Sequence, residues 1–151
     1  MTDLSLTKQE KIEIVTALMQ AKQAHDIEAL LALYHPDCVL EQPSLGVRSC
    51  GHEQIRPGLE AFAHHFPDYE RTFDGFAEDN ETLVCWGQAS MTLTGEIGGV
   101  KPNGARSKVM TFVTFKFDKG RIIHEGHYWD LATIARTSGV PAELFTKSES
   151  A

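Results

Sequence analysis

Helical and strand periodicities occupy different parts of this chain, and that segregation limits the fold more than any other feature. Three helical patterns lie before Pro67. Thr7-Lys8-Gln9-Glu10 has the form of a capping box, and Ile12, Val15, Leu18 and Met19 follow at helical spacing. Asp26 can cap a second helix, whose apolar stripe Ile27, Leu30, Leu31 and Tyr34 recurs at i, i+3, i+4 and i+7 and ends at Pro36. A third stripe joins Ile55, Leu59, Phe62 and Phe66. Pro57 fits this helix only near its first turn, where the missing N–H matters least. One short strand, Cys38 to Gln42, interrupts the helices and is closed by Pro43, with a loop from Ser44 to Gly51.

Beyond Pro67 the pattern changes to strands. Tyr69 to Glu78 is followed by an Asp79-Asn80 turn, then by Thr82 to Thr94, bent or bulged at Gly87. A glycine-rich loop, Glu96 to Arg106, leads into Ser107 to Phe117. Val109, Thr111, Val113, Phe115 and Phe117 share one side of that strand, with Met110, Phe112 and Thr114 on the other, which predicts burial on both faces. After a turn at Asp118-Lys119-Gly120 comes a last strand to Asp130, then a short helix from about Leu131 to Thr137, ended by Gly139. Helices followed by long antiparallel strands specify an α+β fold, not alternating βαβ units. One domain is expected over 1–146, with a tail at 147–151. A strongly curved sheet wrapped on helices encloses a conical cavity, the default binding site of such a shape.

Composition excludes several function classes. The formal charge of −7 disfavours nucleic acid, whose phosphates attract a basic face, and anionic membrane surfaces too. No apolar run approaches the length of a transmembrane helix, and Met1 to Glu10 lacks the apolar core of a signal peptide. Cys38, Cys50 and Cys85 are odd in number and widely spaced, which fits reduced thiols in a cytoplasmic protein.

Chemistry concentrates in Gly120 to Asp130, GRIIHEGHYWD. On a regular strand His124, Gly126, Tyr128 and Asp130 share one face, while Ile123, Glu125, His127 and Trp129 share the other. The face ending in Asp130 is expected to look into the cavity, with His124 as the partner of Asp130; a bulge near Gly126 would bring in His127 instead. Asp130 has two compatible readings: the N-cap of the final helix, and a partly buried carboxylate whose pKa is raised by Tyr128, Phe112 and Met110. Histidines at this spacing lack the helical pattern of a zinc site, so no metal is expected.

Several stretches taken together resemble the SnoaL-like polyketide cyclases of the NTF2-like superfamily. These are Ala24-His25-Asp26-Ile27-Glu28-Ala29-Leu30 with Leu33 to Val39, Phe66-Pro67-Asp68-Tyr69, the loop Lys101 to Arg106, Phe115 to Ile122, and Tyr128-Trp129-Asp130. The resemblance spans about Leu18 to Val140. It implies a cone of mostly antiparallel sheet around three N-terminal helices, a homodimer through the outer sheet face, and catalysis without cofactor. It also implies that Asp130, at the end of the last strand, is the acid/base of an intramolecular aldol closure. Many relatives carry Trp where this chain has Gly126, and the space left there is expected to stand over the carboxylate.

The expected substrate is an apolar, aromatic or polycyclic small molecule, undergoing cyclisation, isomerisation or a lyase step. Asp130, His127, His124 and Tyr128 are the candidate catalytic residues. Tyr34, Glu41, Phe62, Phe66, Trp86, Met110, Phe112 and Gly126 are the candidate substrate contacts. Trp86 and Tyr128 stand out because a buried indole or phenol needs a polar partner, and His65 is expected at the surface. Two other readings are a ligand-binding domain without catalysis and, on weaker grounds, an epoxide hydrolase, which needs two carboxylates and an arginine around one water.

Overall fold

The computed structural model describes residues 6–150, with the side chains of 147–150 excepted. Its elements run α1 (Lys8–Gln23), α2 (Ile27–Leu33), β1 (Tyr34–Gln42), a short 3-10 turn (Pro43–Leu45), β2 (Val47–Cys50), α3 (Gly51–His65), β3 (Glu70–Glu78), β4 (Leu83–Thr92), β5 (Arg106–Asp118), β6 (Arg121–Trp129), α4 (Leu131–Ser138) and α5 (Ala142–Ser150). Six strands form one curved sheet in the order β2-β1-β6-β5-β4-β3, with β1–β6 parallel and every other pair antiparallel. This is the α+β architecture that the segregated periodicities predict.

Local signals set the helix starts. The Thr7 hydroxyl accepts from the Glu10 amide at 3.1 Å, and Glu10 accepts from the Thr7 amide at 3.2 Å, completing the capping box. Asp26 caps α2 through the Ala29 amide. Tyr34 is the first residue of β1, not the last of α2: its ring is buried against the sheet, and Pro36 lies within the strand's irregular opening. Pro57 sits in the second turn of α3, further in than the sequence allows for, since the helix begins at Gly51. The segment expected as a loop after Pro43 contains β2, which pairs back onto β1. The backbone of α5 continues through 147–150, where a tail is expected from the sequence; residues 1–5 and Ala151 lie outside the described residues.

The core has two parts. Val15, Leu18, Leu30 and Ile55 of the helices pack on Val113, Phe115, Phe117 and Ile122 of the sheet. A second cluster gathers Phe66, Val109, Trp129, Ile134, Val140 and Phe145 at the other end. Burying a side chain such as Phe115, fully removed from solvent, contributes about 1.5–3 kcal/mol. Only one face of β5 is buried. Val109, Thr111, Val113, Phe115 and Phe117 face inward, whereas Met110 and Phe112 are 46% and 47% exposed, so the expected burial of both faces is corrected.

Two irregularities aim the strands. On β3 an extra residue, Asp74, sits between the pairs Phe73↔Gly87 and Gly75↔Trp86. The bulge therefore lies opposite Gly87, not on its strand. Gly87 is required there, because a Cβ would meet the Thr72 carbonyl oxygen at 1.9 Å. The β5–β6 hairpin turns on Lys119 and Gly120, both with positive φ, as a two-residue primed turn demands. Asp118↔Arg121 and Phe117↔Ile122 pair regularly. Lys116 then pairs with His124, which leaves Ile123 as an extra residue.

Candidate active site

The bulge at Ile123 decides what the cavity contains. Without it, His124 would stand opposite Phe115 and share its inward direction. With it, Phe115 pairs with Glu125, Val113 with His127 and Thr111 with Trp129. The inward face of β6 is therefore Glu125, His127 and Trp129, which are 2%, 4% and 7% exposed. All three line a cavity of about 450 Å³ between the sheet, α3 and the β1–β2 hairpin. Its apolar wall includes Leu40, Ile55, Leu59, Phe62 and Phe66, with Phe145 of α5 closing one side.

Glu125 carries the cavity's one carboxylate among the described lining residues. The Tyr34 hydroxyl donates to Glu125 Oε1 at 2.7 Å. Burial first, then the Glu125 charge, pushes the Tyr34 pKa well above its ordinary value, so the phenol keeps its proton and stays a donor. His127 stands two residues along the same face, roughly 7 Å away at Cα. Its ring stacks on Trp129 with centroids 5.9 Å apart. The guanidinium of Arg71, on β3, approaches His127 Nε2 to 3.5 Å. A guanidinium only donates, so this contact assigns the lone pair to Nε2 and the proton to Nδ1. Burial, aided by Lys22 and Arg71, holds the His127 pKa well below the usual histidine value, and the ring is neutral at physiological pH.

The other sequence candidates fall elsewhere. His124 lies on the outer face, where Nε2 meets Glu41 Oε2 at 3.1 Å, and Arg48 donates to the same carboxylate. The His124 contact is the main reason that the Glu41 pKa lies below the usual range. Tyr128 is 45% exposed beside Met110 and Phe112 on that face. Gly126 is no opening over a carboxylate: a Cβ there would meet Thr114 Oγ1 at 2.7 Å and the Tyr128 ring at 3.2 Å. The Trp86 ring also lies outside the cavity, folded over Gly75. Asp130 is exposed and caps α4, accepting from the Thr133 amide at 3.0 Å and from the Thr133 hydroxyl. Those bonds lower its pKa, the reverse of the expected direction. The expected inward orientation of His124, Gly126, Tyr128 and Asp130 is thus corrected. Phe62 and Phe66 do line the cavity, and Tyr34 reaches it through Glu125.

Glu125, Trp129, Lys22, Arg71 and His65 are absent from the sequence-derived candidate set. Glu125 and Trp129 fall on the strand face not chosen, and Lys22 and Arg71 carry no local motif. His65, expected at the surface, lines the cavity and bonds the Thr94 carbonyl oxygen through Nδ1 at 2.8 Å. Cys38 and Cys85 are buried thiols whose pKa values burial raises, that of Cys85 to about 12, and they serve as packing. Among the described residues, no group of three or more His, Cys, Asp or Glu is arranged to hold a metal ion. Nor is any helix long and apolar enough to cross a membrane.

The family model for SnoaL-like polyketide cyclases matches residues 12–137. The chain belongs to this family. Solved structures show the same ketosteroid isomerase-like, or NTF2-like, fold. One such structure, from Catenulispora acidiphila DSM 44928, is 20% identical, covers 87% of this chain and 95% of its own, and superposes with a TM-score of 0.73. IdmH of Streptomyces antibioticus, a polyketide cyclase candidate, is 22% identical over 85% of this chain and 98% of its own, with a TM-score of 0.73. An LEH-like epoxide hydrolase of M. tuberculosis is 19% identical over 86% and 90%, with a TM-score of 0.67. No curated protein matches the chain. Family membership supports a cyclase type of role on a small molecule.

Proposed function

We propose that this SnoaL-like protein is a cofactor-independent enzyme that moves a proton at carbon in an aromatic or polycyclic substrate, in an aldol-type cyclisation or an isomerisation. Glu125 is the base and His127 the donor that steadies the resulting enolate. The observation that carries this reading is the placement of a buried carboxyl group and a buried neutral imidazole on one face of β6, inside a cavity with an aromatic and aliphatic wall.

Each residue has a defined task. Glu125 Oε1 accepts from Tyr34, so Oε2 takes the proton from a carbon beside a carbonyl group. Negative charge then develops on the carbonyl oxygen. A neutral His127 with its proton on Nδ1 donates to that oxygen without surrendering the proton, and donation from a buried, preorganised group is worth more than donation from water. Phe62, Phe66 and Trp129, with both phenylalanines meeting the Trp129 ring edge-on, supply an aromatic wall for a flat substrate. A single carboxylate among the described lining residues disfavours epoxide hydrolysis, and a buried carboxyl group and neutral imidazole sharing one cavity disfavour a purely binding role.

Asp130, the acid/base position implied by the family resemblance, is engaged in capping α4 and is assigned no proton transfer here. The outer sheet face, with Met110, Phe112 and Tyr128 each nearly half exposed, is the surface of a cytoplasmic homodimer. The test uses a panel of aromatic 1,3-dicarbonyl compounds in heavy water. Wild-type protein is expected to accelerate exchange of the activated C–H for deuterium, and E125Q to lose about 10²–10⁴ of that rate. Undiminished exchange by a folded E125Q removes Glu125 as the base.

A further inference from the structure

The chain as a whole is acidic, at −7, yet the His127 end of the cavity is cationic. Lys22, from the last turn of α1, lines it. Its ammonium lies 4.3 Å from the centre of the Phe62 ring and 5.4 Å from that of Tyr69. Among the described residues Lys22 has no ion pair. Behind His127 stands Arg71, 8% exposed, whose Nε and Nη2 find no hydrogen-bond partner. Its Nη1 approaches the His127 ring, and the guanidinium lies 4.9 Å from the centre of the Phe73 ring. An unpaired buried guanidinium carries a desolvation cost of several kcal/mol, and buried cations are ordinarily matched by an anion.

We propose that Lys22, backed by Arg71 through His127, forms a receptor for an anionic oxygen carried by an aromatic ligand, so that the substrate of this cavity is a carboxylate or an acidic enol or phenol. The proposal rests on the reading of this cavity as the active site and adds the charge of what enters it. Lys22 contacts the ligand oxygen directly, along the aromatic shelf of Phe62 and Tyr69. Arg71 acts through His127: it holds Nε2 as acceptor, keeps the proton on Nδ1, and adds positive potential behind the ring. Glu125, on the same strand face, then stands over the carbon skeleton instead of over the anion. An ammonium resting on aromatic rings is already partly desolvated, so closing an anion onto it costs less than recruiting a hydrated surface lysine.

Binding, not turnover, tests this. Tryptophan fluorescence or calorimetry is used to compare 2-naphthoate with 2-naphthamide, an uncharged compound of the same shape, at pH 7.5. Wild-type protein is expected to prefer the carboxylate by about tenfold or more, equivalent to about 1.4 kcal/mol. K22Q is expected to erase most of that preference while leaving the amide unaffected. R71K retains the charge without the fork, guards against loss of fold, and is expected to keep a reduced preference. E125Q is expected to bind 2-naphthoate at least as tightly as wild type, so loss of exchange activity and loss of anion preference separate cleanly. The phenol arm uses 1-nitro-2-naphthol, ionised at this pH: tighter naphthoate assigns a carboxylate, tighter nitronaphtholate an enol or phenol. Equal affinity for naphthoate and naphthamide, or no binding of either anion, overturns the proposal.

Discussion

The two faces of β6 are built from alternate residues of one short segment, yet they do different work. The inner face, Glu125, His127 and Trp129, is almost wholly buried and holds polar atoms where each partner matters. Tyr34 holds the carboxyl group, and Arg71 approaches the imidazole. The outer face, His124, Gly126 and Tyr128, joins Met110 and Phe112 in a surface that a single chain leaves half open. Charge on that face is paired in the ordinary way, as with His124 and Glu41. Desolvation separates the two: inside, it holds the His127 ring neutral and the Tyr34 phenol protonated, whereas the charges outside stay paired and partly solvated.

That contrast can be broken at the outer face first. Replacing Met110 and Phe112 together by Asp is expected to turn a dimer into a monomer. The shift in dissociation constant should exceed about 100-fold, or about 2.7 kcal/mol, read by sedimentation, with the fold of each chain retained because both side chains are already exposed. An unchanged association state would mean that this face is not where two copies meet.

The inner face makes an acid-dependent prediction. His127 has its pKa lowered in the folded protein, while in the unfolded chain it titrates near about 6.5. Above that value both states are neutral, and the residue has no effect on the pH dependence. As pH falls below it the unfolded chain takes up a proton that the folded protein refuses, so stability declines. Between pH 7.5 and 5.5, wild type is expected to lose roughly 1 kcal/mol more than H127Q, measured by urea unfolding. Equal losses would mean that His127 is not held neutral.

A smaller effect belongs to Asp130. D130A should cost about 1 kcal/mol through the lost cap of α4, whereas D130N, also a good cap, should cost little.

How much of this could be read from residues alone follows the same division. Helix starts are legible because caps are local: Thr7, Glu10 and Asp26 do in the structure what their spacing predicts. The α+β class is legible because periodicity changes once, near Pro67. From His124 to Trp129 the alternation along β6 is legible too, although Ile123 becomes the bulge and Asp130 leaves the strand as the cap of α4. Which set looks inward is not. It depends on one extra residue, Ile123, in a strand where neighbouring Ile122 is an equally good inward candidate and no Gly or Pro marks the bulge. The turn at Lys119-Gly120 taken with a regular strand would turn His124 inward, and only the tertiary register reverses it. Lys22 and Arg71 were illegible for a different reason: each is an ordinary charge until the fold brings it beside His127.

The central claim is that proton transfer belongs to the inner face of β6, at Glu125, and not to the strand end at Asp130. Exchange activity of E125Q and D130N, measured side by side on purified folded proteins, tests it directly. The account predicts that E125Q loses about 10²-fold or more while D130N stays near wild type. Loss of activity in D130N with E125Q intact would contradict it.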